Sequence, residues 1–283
     1  YFQIYTNAAG KDDIAQAQAF IDIWTWNELA ISGYQEIITN YQSRYTRQTI
    51  ELLKGLRAVL GESPLLAYLV GMAQRVNEIQ RVLKPTGSFY LHCDPTASHY
   101  LKLVLDSVFC ARGGDFRNEV IWDYTFRLMD LPKFFNRKHD VIFFYSKSKD
   151  SIFHMPKTEW TKETLMASRK QKIHVDEDGV EWIWMPGGKG NSKNKMRKVD
   201  ELIEGGKAIS DVWQIPIISS SSKERLGYPT QKPETLLERI IQASSNEGDT
   251  VLDAFCGCGT SVAVAQRLRR NWVGIDITYQ SIA

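Results

Sequence analysis

Between about Tyr41 and Leu83 the apolar residues recur at helical spacing: Ile50, Leu53, Leu56, Val59 and Leu60, then Leu66, Leu69, Met72, Val76, Ile79 and Leu83. The stretch Gly61-Glu62-Ser63-Pro64 interrupts them with a helix break and restart, so two amphipathic helices are predicted. The period then shortens. A turn at Lys84-Pro85-Thr86-Gly87 leads into a strand from Ser88 to His92, a helix from about Ser98 to Phe109, and strands at Val120 to Tyr124 and Asp140 to Ser146. The last stretch predicts a helix (Pro233 to Ala243), a strand (Thr250 to Asp253), a helix (Thr260 to Leu268) and a strand (Asn271 to Asp276). Strands alternating with helices predict an α/β fold, a mostly parallel twisted sheet with helices on both faces.

From Lys147 to about Ile215 the character changes. Trp160, Trp182, Trp184 and Trp213 stand among lysines and arginines, and Gly187 to Lys198 carries five cations and no acid. This is the composition of an insertion. The expected division is 1–147 and 216–283 for the main domain, with 148–215 inserted between its parts.

The whole chain of 283 residues is 43% hydrophobic and 24% charged, the balance of an ordinary globular protein, and its net charge is only +2. Any basic surface must therefore be local. No apolar run is long enough to span a bilayer and nothing like a signal peptide opens the sequence, so a cytoplasmic protein without a membrane partner is expected. The four cysteines, Cys93, Cys110, Cys256 and Cys258, fit no Cys-x-x-Cys pattern, and they are read as reduced with no metal.

The stretch VLDAFCGCGT, Val251 to Thr260, carries the clearest chemistry. A buried strand ending in an acid, then a glycine-rich turn opening a helix, places free backbone N–H groups at the carboxyl edge of a sheet. Glycine at 257 and 259 permits positive φ and removes the Cβ that would block a ligand. Asp276 closes the next strand, where an acid commonly bonds the ribose hydroxyls of a nucleotide. Together these specify a nucleoside-containing cofactor. The third glycine of a dinucleotide loop is missing, and Asp253 is better explained by a ligand carrying a cationic amine, such as S-adenosylmethionine.

Immediately upstream stands YPTQKPETLLERII, Tyr228 to Ile241. The order TQKP, LLERII, D-x-F-x-G-x-G-T, GID resembles the DNA amino-methyltransferases, which modify adenine N6 or cytosine N4. It is similar to their β arrangement, with catalytic motifs first, the target-recognition region in the middle and the cofactor motifs last. LKPTGSFYLHCDPTASHYLK, FRNEVIWDY and KFFNRKHDVIFFYSKS fit the family's central strands. The resemblance implies a Rossmann-like class I methyltransferase fold. It implies that Asp253, Phe255, Gly257 and Gly259 line the methionine end of S-adenosylmethionine, that Asp276 holds the ribose, and that Thr230, Gln231 and Lys232 cap the carboxylate. Ala254 and Cys258 replace the family's frequent proline and serine, and both are small enough for binding to survive.

The family's catalytic tetrapeptide, an acidic or polar residue followed by Pro-Pro and an aromatic, is absent from this sequence, so the catalytic residues stay unnamed. The family register places it just before Tyr1, and a portion of a longer protein is expected. His92 and Asp94, at the end of a central strand, are expected to be a satisfied structural pair, with a place near the pocket as the alternative. Lys189, Lys193, Lys195, Arg197 and Lys198 are the candidate contacts to double-stranded DNA, neutralising phosphates. Arg117, Arg127, Arg137 and Lys138 are further candidates. The tryptophans of the insertion are expected to be core, and Trp24 and Trp26 to pack. Adenine is the preferred base, with cytosine N4 the alternative. A catalytically silent DNA-binding protein also fits, as does an RNA or small-molecule methyltransferase, though the last leaves the basic aromatic insertion without a purpose. The two long helices offer a face for a homodimer.

Overall fold

A computed structural model describes residues 24–124, 133, 135–185, 194–228 and 230–276. Its first three helices open on short polar side chains. Asn27, Thr46 and Ser63 each accept a backbone N–H three residues ahead, at 3.1, 3.0 and 3.2 Å, and so open α1 (Glu28–Thr39), α2 (Arg47–Leu60) and α3 (Pro64–Val82). Helix α1 was not anticipated. Its buried positions Ala30, Gly33, Tyr34 and Ile37 have helical spacing, but two of them are too small to give a strong apolar signal.

The chain divides into two compact units, one comprising Tyr1–His154 with Asp211–Ala283 and the other Met155–Ser210. In the larger, β1 (Ser88–Cys93), α4 (Ser98–Val108), β2 (Asp115–Asp123) and β3 (His139–Ser146) follow the first three helices. Strand β9 (Val212–Gln214) completes a sheet of order β1-β3-β2-β9. Val212–Gln214 falls within the 148–215 stretch expected as insertion, yet here it extends the larger unit's sheet. After α7 (Glu234–Ser244), strands β10 (Thr250–Asp253) and β11 (Asn271–Gly274) form a parallel pair joined by α8 (Thr260–Arg267).

The sheet is mixed rather than mostly parallel. Strand β3 is antiparallel to both β1 and β2, while β2 and β9 are parallel. No predicted helix separates β2 from β3, and a helix is the usual crossover to a parallel neighbour, so the antiparallel pairing accords with the connection. The last six residues of β3 are all buried. Against this sheet pack Leu53, Leu66, Leu69, Val76, Leu101 and Leu105. A smaller cluster, Ile241, Val264 and Ala265, joins α7 to α8. Trp24 lies edge-on to Tyr68 and Trp26 to Tyr34, so both pack, as expected.

Gly114 admits no side chain. A Cβ there would stand 2.6 Å from the Ser146 carbonyl oxygen and 3.1 Å from that of Phe109, both backbone atoms. We expect Gly114→Ala to destabilise the protein by about 1–3 kcal/mol through overpacking. A thermal melt superimposable on the wild type's would refute this.

The smaller unit contains β4 (Lys157–Thr158), α5 (Lys162–Arg169), β5 (His174–Val175), β6 (Glu181–Met185), β7 (Lys195–Lys198), α6 (Val199–Gly205) and β8 (Lys207–Ala208). Its core is Leu165, Ile183 and Val199, flanked by Trp160, Ile173 and Leu202. Of the insertion's tryptophans, Trp160 is thus core-packed. No helix among the described residues is long and apolar enough to cross a membrane.

Candidate functional site

Strands β10 and β11 run in register, with Asp253 opposite Gly274, and the chain crosses from one to the other through the glycine turn and α8. The two acids read as ligand contacts first build this turn. One Asp253 carboxylate oxygen accepts the Phe255 N–H at 3.0 Å, and the other accepts the Ser261 hydroxyl. Asp276 accepts the Gly257 N–H at 2.9 Å. A carboxylate has about four acceptor positions, so Asp253 retains capacity for a ligand.

The two glycines serve different purposes. At Gly257, with φ of 49°, a Cβ would come within 3.0 Å of the Tyr228 ring. Gly259, at φ of 78°, caps α8 with open space where its Cβ would be, and no side chain caps the helix there. The first-turn N–H groups of α8 therefore rise beside an unobstructed backbone. Phe255, 49% exposed, stands on the same turn. Gly274 was missed in sequence: a Cβ there would stand 3.1 Å from Val262 and 3.2 Å from the Cys256 sulfur.

The TQKP turn lies against this loop through Tyr228. Gln231 is committed to the chain itself, since its amide donates to the Glu224 carbonyl at 2.7 Å and accepts from the Leu226 N–H at 2.8 Å. Glu224 in turn accepts the Glu234 N–H at 2.5 Å, supplying the cap for α7 that Pro233 lacks. Pro233 is the residue before the helix rather than its first. Lys232 is different. Its ammonium donates to the Thr230 carbonyl at 3.1 Å, no carboxylate among the described residues pairs with it, and two of its three donors remain. Burial pulls its pKa down, opposed chiefly by the negative charge of Asp140.

Asp140 is the hub beneath Lys232, and nothing in the sequence singled it out. It meets the His92 Nε2 at 2.8 Å and raises the pKa of Tyr124, to about 12 with burial the larger cause. His92 thus pairs with Asp140, not with Asp94, which accepts the Thr96 N–H at 3.0 Å ahead of α4. Burial lowers the His92 pKa, and the hydrogen bond to Asp140 opposes it. The Trp122 ring meets the His92 ring edge-on at 5.6 Å. So the ends of β1 and β2, the start of β3, the TQKP turn and the glycine loop converge.

The candidate DNA contacts lie in the other unit. Lys195, Arg197 and Lys198 are exposed on β7, while Lys189 and Lys193, like Arg127, lie outside the described residues. Arg197 approaches Glu201 at 3.7 Å. Arg117 bonds the Ser146 hydroxyl at 2.9 Å, which gives it a structural partner instead of a free charge.

A family model described as DNA methylase, covering the N6 and N4 enzymes, matches residues 60–283. The chain belongs to that family. Among relatives of this DNA methylase, it is 31% identical over 215 residues to the type II methyltransferase M.HpaI of Haemophilus parainfluenzae, covering 76% of this chain and 57% of the relative. It is 28% identical over 211 residues to the DNA adenine methyltransferase YhdJ of Escherichia coli strain K12, covering 73% and 62%. The chain thus spans less than two thirds of each. Among solved structures, the M1.HpyAVI–SAM complex is 17% identical with a TM-score of 0.46, covering 84% of this chain and 93% of that one.

Proposed function

We propose that the protein carrying this DNA methylase chain transfers a methyl group from S-adenosylmethionine to an exocyclic amine of DNA, adenine N6 by preference. The observation that carries the reading is Lys232, an ammonium with unused donors set beside a glycine loop that two acids hold open. A carboxylate suits the lysine, the bare backbone at Gly259 admits close approach, Asp253 keeps acceptor positions for an amine, and Asp276 stands just past the end of the neighbouring strand. The residues fit the cofactor. When bound, S-adenosylmethionine supplies an electrophilic methyl group.

Around it the chain's own residues bind and orient. Lys232 takes the carboxylate, with the Thr230 carbonyl fixing the direction of its ammonium. Gln231 acts by locking the turn. Asp276 holds the ribose, Asp253 the amine, and Phe255 offers an exposed ring at the mouth. An exocyclic amine is a poor nucleophile because its lone pair is delocalised, so it must be held in line while an acceptor draws out a proton. No residue of this chain is assigned that acceptor role. A base inside a duplex must also be flipped out. Residues 148–215 are read as the target-recognition region, with double-stranded DNA as the partner. Adenine is favoured because one relative is named a DNA adenine methyltransferase.

The test is mass spectrometry of nucleosides from a methylation-deficient host expressing the whole gene. N6-methyladenine above the vector control is expected. N4-methylcytosine in its place would overturn the choice of base, and neither product from soluble protein that binds S-adenosylmethionine would leave a silent DNA-binding protein.

A further inference from the structure

Strand β6 divides its side chains between two environments. Ile183 points into the small unit's core and is fully buried, so Trp182 and Trp184 stand on the opposite face of the sheet. Register places Trp184 directly opposite Met196, and Trp182 opposite Lys198. Trp184 is 43% exposed and Met196 37%. The Lys198 ammonium lies 5.7 Å from the centre of the Trp182 ring. The Gln171 amide donates to the Trp184 carbonyl at 3.1 Å, which draws the segment from Lys170 to Lys172 alongside, and both of those lysines are exposed. The acids Asp176, Glu177 and Asp178 gather at the turn between β5 and β6, where Asp176 accepts the Trp182 indole N–H at 2.7 Å, while Trp184 lies two residues further along the strand.

This arrangement has a chemical meaning. An indole and a thioether left in water give up burial worth having, unless a partner covers them. Lysines around an exposed ring favour a partner that is itself anionic and carries flat apolar groups. Nucleic acid meets both conditions: phosphates for the ammonium groups and sugar or base faces for the indole.

We propose that this face of the β5-β6-β7 sheet is where the small unit contacts DNA, with Trp184 and Met196 as its apolar centre and Lys170, Lys172 and Lys198 on the phosphates. The assignment rests on the methyltransferase reading and adds to it a specific surface. It also divides the cationic run by strand geometry. Lys198 shares the face with the tryptophans, whereas Lys195 and Arg197 project on the side of Ile183.

The experiment is a titration of a fluorescein-labelled, mixed-sequence duplex with the whole protein at several salt concentrations, read by anisotropy. Trp184→Ala is expected to weaken binding roughly tenfold, toward the lower end of the effect of removing an aromatic that stacks on a base, and Trp184→Phe to restore most of it. Replacing Lys170, Lys172 and Lys198 together by alanine should flatten the salt dependence by about 0.9 per lost phosphate contact. S-adenosylmethionine affinity should not change in any of these variants. Wild-type binding that the variants reproduce within twofold, with the same salt slope, would overturn the surface and leave the methyltransferase reading intact. A wild-type protein that binds no duplex would overturn both.

Discussion

Asp253→Ala is expected to abolish S-adenosylmethionine binding and to lower stability by about 1–3 kcal/mol. The stability loss follows from what the carboxylate holds: without it the Phe255 N–H and the mostly buried Ser261 hydroxyl both lose their acceptor. The binding loss follows from the same contacts, because they fix the turn from which Gly257 and Gly259 present bare backbone. Asp253→Asn separates the two effects. The amide keeps one acceptor for the Phe255 N–H but has no charge for a cationic amine, so it should melt closer to the wild type while still binding the cofactor poorly. Calorimetric titration alongside a thermal melt reads both. Wild-type affinity in Asp253→Ala would remove this residue from the site.

The second large effect is expected at Lys232. Lys232→Met keeps the length and apolar body of the side chain and removes the charge. A charge-assisted hydrogen bond contributes about 1.5–3 kcal/mol, so cofactor affinity should fall roughly 10- to 100-fold. Titration adds a signature with a definite sign. Burial lowers the Lys232 pKa in the folded protein, so the unfolded chain holds this proton to higher pH. Between the lowered value and the ordinary lysine range the unfolded state binds more protons, and the stability of the cofactor-free protein should rise with pH. Cofactor affinity should fall across that window as the ammonium is lost. Opposite slopes for stability and affinity in the wild type, both reduced in Lys232→Met, would identify the group. Parallel slopes would exclude it.

The elements of this fold that depend on local pattern were legible. The break at Gly61 to Pro64, the strand Thr250–Asp253 and the helix that follows all stand where their periodicity and turn residues put them. What escaped was long-range. The direction of β3 depends on how the chain returns from β2, which no repeat of apolar residues encodes. The candidate site divides in the same way. Glycines 257 and 259 could be read because positive φ leaves few alternatives to glycine. Asp140 could not, being one acid among many until β3 pairs with β1 and brings it to His92. Gln231 was legible as part of a motif but not in its role, since only the fold shows that its amide is consumed by Glu224 and Leu226.

The direction of β3 matters beyond the count of parallel pairs. Strands β1 and β2 flank it and run alike, so they deliver the ends of their sequences, His92 and Tyr124, to a common edge. A reversed neighbour delivers its beginning there instead. With the opposite polarity the same eight residues would place Ser146 at that edge and carry Asp140 to the far side, leaving His92 without its partner and Lys232 without the negative charge that steadies its proton. Strand polarity, as much as residue identity, therefore sets the electrical character of this edge of the sheet.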